Sequence, residues 1–191
     1  MNKVTRSKAM TELQDQLHSI ELTGDYEKTL VVDQLYKTIE SHGYEVVERN
    51  DEKPWGAYLR LDGKQADAFV EEFFPGLTPE QARLGLEKAE LSPKLLLVSP
   101  SERLSWQYHN RRAERWAFLT EGFYNKSLTD EPGDIVRALP GEVVQFAKGE
   151  RHRLIGQEGD YTVVAEIWQH VDSDELSNED DIIRLTDDYG R

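Results

Sequence analysis

Apolar positions follow two regimes along the chain. Over residues 4–22 and 28–42, the latter "KTLVVDQLYKTIESH", they recur at three- and four-residue spacing, the period of a helix with one buried face; Gly43 follows as a C-cap. "YEVVER" then reads as a strand, and "NDEKPWG" as a turn into a second one, "AYLRL". Helical spacing returns in "KQADAFVEEFF", which stops at Pro75-Gly76. It returns again in "TPEQARLGLEKAE", where the Thr78 hydroxyl can cap the amide near Gln81 and Pro79 takes the first helical position.

From Pro93 onward the chain breaks into short β-rich runs separated by turn residues: "KLLLVSP", "RLSWQYH", "ERWAFLTEG", "FYNKSLT", "DIVRALP", "EVVQFAKG", "HRLIG" and "YTVVAEIWQHV". Many short strands at close spacing predict a mainly β sandwich or barrel instead of a parallel α/β sheet. A length of 191 residues fits one such core with elaborations. The apolar runs fall far short of the roughly 20 residues of a membrane span, and the amino terminus lacks the apolar centre of a secretion signal, so cytoplasmic residence is the default expectation.

Charge narrows the partners. With 37 acidic against 23 basic residues the formal net charge is -14, which repels nucleic acid and anionic lipid; neither is expected to bind. Much of the acid lies in "DSDELSNEDDIIRLTDDYGR", a run that reads as a solvated face in which the apolar "DIIRL" still packs. The absence of cysteine leaves histidine, carboxylate and amide as the strong metal-ligand types.

Those types cluster in "LSWQYHNRRAERW". If "SWQYH" is a strand, Gln107 and His109 project from one face, because strand side chains alternate with period two. "NRRA" can turn the chain so that Glu114 opens the next strand beside them, and "GEVVQFAKGERHRL" supplies His152 after a glycine-containing turn. Gln107, His109, Glu114 and His152 form an N, O, O, N set suited to one divalent first-row ion such as Zn, Mn, Fe, Co or Ni. The bland alternative is a strand histidine that serves as a structural hydrogen-bonding group.

The spacing resembles the two cupin motifs: Ser101, five residues, Gln107-x-His109, four residues, Glu114, and later Gly141, five residues, Ala147-x-Gly149, two residues, His152. More narrowly, "KPWGAY", "LSWQYHNRRAERW", "HRL" and "NEDDIIRLTDDYGR" resemble the cupin domain of type II mannose-6-phosphate isomerases, over residues 53–58 and 93–191. The chain departs from that pattern at Ser101, where the family has glycine, at Ala147, where it has proline, and at Arg111 and Arg115, where it has histidines. Nothing before residue 53 resembles the nucleotidyltransferase domain of the bifunctional members.

The resemblance implies a cupin fold, a small antiparallel β-barrel, over 53–191; the helical N-terminal extension over 1–52, expected to pack on it, and a helical insertion at about 60–92 have no counterpart in the family pattern. The insertion would cover the barrel mouth or form a homodimer contact. The resemblance implies a metal-dependent aldose–ketose isomerase acting on a sugar phosphate through an enediol, with an unphosphorylated sugar such as mannose or lyxose as the alternative substrate. A non-catalytic sugar- or protein-binding cupin is the rival of a different class, and an oxygen-using cupin a third. Glu166 is the expected base, although strand alternation alone leaves open whether it faces the interior or solvent. Arg112, inside the ligand turn, is the expected catalytic cation, and Lys94, Arg153 and Arg184 match basic positions that would contact substrate. Trp55, Trp106, Trp116 and Trp168 could stack on a sugar or simply fill the core; His18, His42 and His170 carry no assigned role.

Overall fold

The computed structural model describes residues 11–191. Helix α1 (Glu12–Ser19) starts at Thr11, whose hydroxyl accepts the Gln14 amide, and α2 (Lys28–Ser41) follows. Residues 4–10 of the first expected helix lie outside the described residues. Strands β1 (Val46–Asn50) and β2 (Gly56–Leu61) come next, then α3 (Ala66–Phe73) behind a single 3-10 turn. Helix α4 (Pro79–Ala82) has the expected cap: Thr78 and Gln81 each bond the other's backbone amide, with Pro79 in the first position. It does not run to residue 90 as its apolar spacing predicts, because Leu84 and Gly85 both take left-handed backbone (φ 52° and 84°), which ends an α-helix.

The remainder is β: β3 (Lys94–Val98), β4 (Trp106–Tyr108), β5 (Arg112–Phe118), β6 (Gly122–Ser127), β7 (Val136–Ala138), β8 (Val143–Phe146), β9 (Arg151–Ile155), β10 (Thr162–His170) and β11 (Ile183–Thr186). They form a six-stranded sheet, β1-β2-β3-β10-β5-β8, and a five-stranded sheet, β11-β4-β9-β6-β7, with antiparallel pairing throughout. This is the mainly β barrel with added helices that the sequence leads one to expect.

The six-stranded sheet has two dry faces. On one side Leu59, Leu61, Leu95, Leu97, Val163, Ala165 and Ile167 join a cluster with Val31, Val32, Leu35 and Ile39 of α2 and Phe69, Val70 and Phe73 of α3. On the other, Leu96, Val98, Trp116, Phe118, Phe146 and Val164 meet Leu154 of the five-stranded sheet. Double coverage explains the apolar runs Leu95–Val98 and Val163–Ala165: every residue of β3 and β10 is buried, the polar Lys94, Glu166, Gln169 and His170 included. It also means that the alternate residues of β10 enter two separate cores.

Three turns that carry the motif glycine positions have left-handed backbone: Ser101 (φ 62°), Gly141 (φ 89°) and Gly149 (φ 76°). An L side chain there costs on the order of 1–2 kcal/mol, which glycine avoids. Ser101→Gly is therefore expected to stabilise the protein by about 0.5–1 kcal/mol in urea unfolding, while Gly141→Ala destabilises it by about 1 kcal/mol. A loss of stability in Ser101→Gly would contradict this reading of the turn.

Candidate metal centre

Register builds the centre. Gln107 on β4 lies directly opposite His152 on β9, so both side chains leave the same face of the five-stranded sheet. Glu114 on β5 pairs with Trp168 of β10 and with Phe146 of β8, on the inner face of the other sheet. His109 follows the last residue of β4, and its carbonyl accepts the Gly149 amide at 2.9 Å, which ties the first motif to the turn before His152. One ligand-capable atom from each of His109, Glu114 and His152 lies within 4.8 Å of the others, and all three residues are buried.

Hydrogen bonding decides what these side chains offer. His109 Nδ1 meets the Asp181 carbonyl at 2.5 Å, and His152 Nδ1 meets the Glu150 carbonyl at 2.9 Å. A carbonyl only accepts, so each ring carries its proton on Nδ1. Both Nε2 atoms then face Glu114, that of His109 at 3.0 Å from Oε1 and that of His152 at 3.2 Å from Oε2. Among the described residues His152 Nε2 and Glu114 Oε2 have no hydrogen-bond partner, although both are buried. Phe146 stacks on the His152 ring at 4.5 Å and Trp116 meets it edge-on at 5.3 Å, so the imidazole cannot turn aside.

Burial lowers the His109 pKa, with Arg112 and His152 adding to the effect against the pull of Glu114, and the ring is neutral at pH 7. Burial pushes the Glu114 carboxyl up, but His109, Arg112 and the contacts to both imidazoles outweigh it and hold the group well below the usual carboxylate range. The Arg112 guanidinium donates from Nε to Glu114 Oε1 at 2.8 Å and from Nη2 to His109 Nε2 at 3.4 Å. An imidazole Nε2 lone pair directed at an ionised carboxylate is repelled unless a proton or a cation lies between them, and at His152 Nε2 and Glu114 Oε2 no other partner is present among the described residues. The residues present therefore fit a divalent ion, with the backbone carbonyls behind each histidine serving as the supports that fix a ligand's tautomer.

No protein-family model and no curated protein matches the chain. Several solved structures are similar to it at low identity. A cupin 2 conserved barrel domain protein from Salinispora arenicola is 18% identical over 41% of this chain, with a TM-score of 0.36. The capsular polysaccharide assembling protein CapF from Staphylococcus aureus is 14% identical over 91%, with a TM-score of 0.48. A candidate sugar phosphate isomerase from Acidithiobacillus ferrooxidans is 19% identical over 43%, with a TM-score of 0.37. The chain spans 62%, 45% and 51% of the lengths of these three proteins.

The expected site residues separate by face. Glu166 lies inside the barrel, opposite Trp116 and Lys94 in register, and accepts the Trp116 indole N–H at 3.0 Å. Its solvent-facing alternative is overturned: the residue is 7% exposed. Gln107 is buried on the inner face and accepts from the Ser105 hydroxyl at 2.6 Å. The Arg112 guanidinium lies 3.9 Å over the Trp168 ring and donates to Glu114, Ser177 and the Asn178 carbonyl, so it organises the centre and is not a free cation. Lys94 points inward, with Nζ 4.1 Å from the centre of the Trp168 ring, and pairs with Glu179 at 2.7 Å.

Arg153 is not brought to the centre. It alternates with His152 along β9, so it leaves the opposite face, where it bonds Thr186 Oγ1 at 2.7 Å. Arg184 pairs in register with Gln107, but its side chain is exposed on the edge strand β11. Trp106, Trp116 and Trp168 are buried as core residues, and His18 and His42 bond backbone carbonyls away from the centre. Sequence reasoning missed Asp181, which is buried under the ligand turn and bonds two of its amides; the acidic run around it masks the signal.

Burial, then the charge of Glu114, pushes the Glu166 carboxyl from 4.5 up to about 7, against Lys94, Arg112 and Trp116. Because the folded state prefers the protonated acid, the stability this group confers is complete below its ordinary pKa and is lost as pH rises through about 7. In chelator-treated protein the parent should fall behind Glu166→Gln between about pH 4.5 and pH 7, by roughly 3 kcal/mol at the upper end. Urea unfolding of both proteins across that range checks this, and a difference that does not change with pH would rule it out.

Proposed function

We propose that the chain is a metal-dependent aldose–ketose isomerase. The observation that carries this reading is a second buried carboxyl, Glu166, held inside the same barrel as the His109, Glu114 and His152 cluster and able to gain and lose a proton near neutral pH. Moving one proton between adjacent carbons requires a group that takes it up and gives it back, and such a group works best with a pKa near the working pH. Glu114 is committed to Arg112 and the two imidazoles, which leaves Glu166 for that task. Trp116 holds one Glu166 oxygen and thereby orients the carboxyl.

A divalent ion held by His109, Glu114, His152 and Gln107 would supply Lewis acidity toward the oxygens of the substrate. Arg112 keeps Glu114 ionised and fixes its rotation. Lys94 is the inward ammonium that a phosphorylated substrate would use, exchanging Glu179 for its own dianion. The resemblance to type II mannose-6-phosphate isomerases supports the sugar-phosphate form.

A second reading, isomerisation of a free sugar, is favoured by one feature: both inward cations, Lys94 and Arg112, are already paired with carboxylates. A neutral sugar leaves these pairs in place. Turnover of hexose 6-phosphates and of free hexoses and pentoses by metal-loaded protein, measured side by side, distinguishes the two. Glu166→Gln should lose on the order of 10²–10⁴ in kcat while retaining metal, and Lys94→Met should raise KM for a phosphorylated substrate only. Full turnover in Glu166→Gln would remove it as the base, and no turnover of any of these sugars by the loaded parent would remove the isomerase reading.

A further inference from the structure

Between the end of β4 at Tyr108 and the start of β5 at Arg112, residues 109–111 have no strand partner, yet this turn must aim His109. Besides the Gly149 amide on the His109 carbonyl, what holds it comes from some 70 positions later in the chain, in the connection between β10 and β11. The Asp181 carboxylate is buried, 5% exposed, and accepts the Asn110 amide at 2.9 Å, the Arg111 amide at 3.0 Å and the Ser177 hydroxyl at 2.7 Å. Its own carbonyl accepts from His109 Nδ1 at 2.5 Å and from Arg112 Nη1 at 3.3 Å. One residue thus clamps the two amides after a ligand, fixes that ligand's proton on Nδ1 and helps seat the arginine that holds Glu114.

We infer that Asp181 is the positioning residue of the metal centre: its carboxylate locks the 109–111 turn so that its carbonyl can hold His109 with Nε2 directed at the ion. The inference rests on the metal reading of His109, Glu114 and His152. Asparagine at 181 would keep the shape but turn an N–H₂ toward donors that require an acceptor, which loosens the turn without opening a cavity. The neighbouring Asp180 is exposed and supplies a control for charge alone.

The test measures Zn²⁺ affinity by competition with a chromophoric chelator, and the His109 tautomer by long-range ¹⁵N–¹H NMR on zinc-free protein, in the parent, Asp181→Asn, Ser177→Ala and Asp180→Asn. Expected are an Nδ1–H tautomer for His109 in the parent, a mixture of tautomers in Asp181→Asn, and a loss of zinc affinity of about tenfold to a hundredfold there. Ser177→Ala should show a smaller loss and Asp180→Asn none. Folded Asp181→Asn that binds zinc like the parent would overturn the inference, as would an equal loss in Asp180→Asn. If Asp181→Asn does not fold, an Nε2–H tautomer in the parent, or Ser177→Ala with parental affinity and spectrum, overturns it. A parent with the Nδ1–H tautomer that binds no zinc would overturn the metal reading, a result separable from parental affinity in Asp181→Asn.

Discussion

Two imidazoles, each with Nδ1 held on a backbone carbonyl, direct Nε2 at one buried carboxylate, and their neighbours in the barrel interior hold that arrangement. Backbone carbonyls hold the Nδ1 protons of His109 and His152, so neither ring can relieve the contact by changing tautomer. Phe146 and Trp116 block rotation of His152. Arg112 holds Glu114 from one side and is itself fixed against Trp168 and the 177–181 segment. Among the described residues His152 Nε2 and Glu114 Oε2 have no hydrogen-bond partner, a state that costs roughly 1–3 kcal/mol per atom unless something satisfies it, and a cation held between the two would do so.

The helices contribute at a distance. By covering the outer face of the six-stranded sheet with Val31, Leu35, Ile39, Phe69 and Phe73, they make β10 a strand anchored in two cores. Val163, Ala165 and Ile167 are fixed on the helical side, and this sets the orientation of Glu166 and Trp168 on the other. Glu166 is thereby kept dry enough to hold its proton to about pH 7, while Glu114, closer to Arg112, stays ionised. Two carboxyl groups on one sheet acquire opposite protonation states from their neighbours, the separation that the proposed division into ligand and base requires.

Much of this was legible in the chain. Period-two spacing placed Gln107 and His109 on one face, the short β-rich runs after Pro93 announced a mainly β barrel, and Thr78 with Pro79 marked a real helix start. Other features depend on contacts that no local pattern encodes. Apolar spacing carried α4 too far because it does not register the left-handed turn at Leu84 and Gly85. Arg153 matched a basic position by spacing to His152, yet an odd offset along a strand sends it to the opposite face. The acidic tail read as solvated, and its exposed residues agree, but Asp181 is buried and "DIIRL" leads into a strand paired with β4. Asp181 meets its partners across some 70 residues of chain, beyond the reach of any window over the sequence.

The most direct measurement is a titration of chelator-stripped protein with Mn²⁺, Co²⁺ or Zn²⁺, followed calorimetrically and by elemental analysis of the desalted product. The account predicts one equivalent bound per chain, with a rise in melting temperature, and loss of that equivalent in His109→Ala and His152→Ala. A parent that retains no ion after reconstitution, or histidine variants that bind as the parent does, would contradict it.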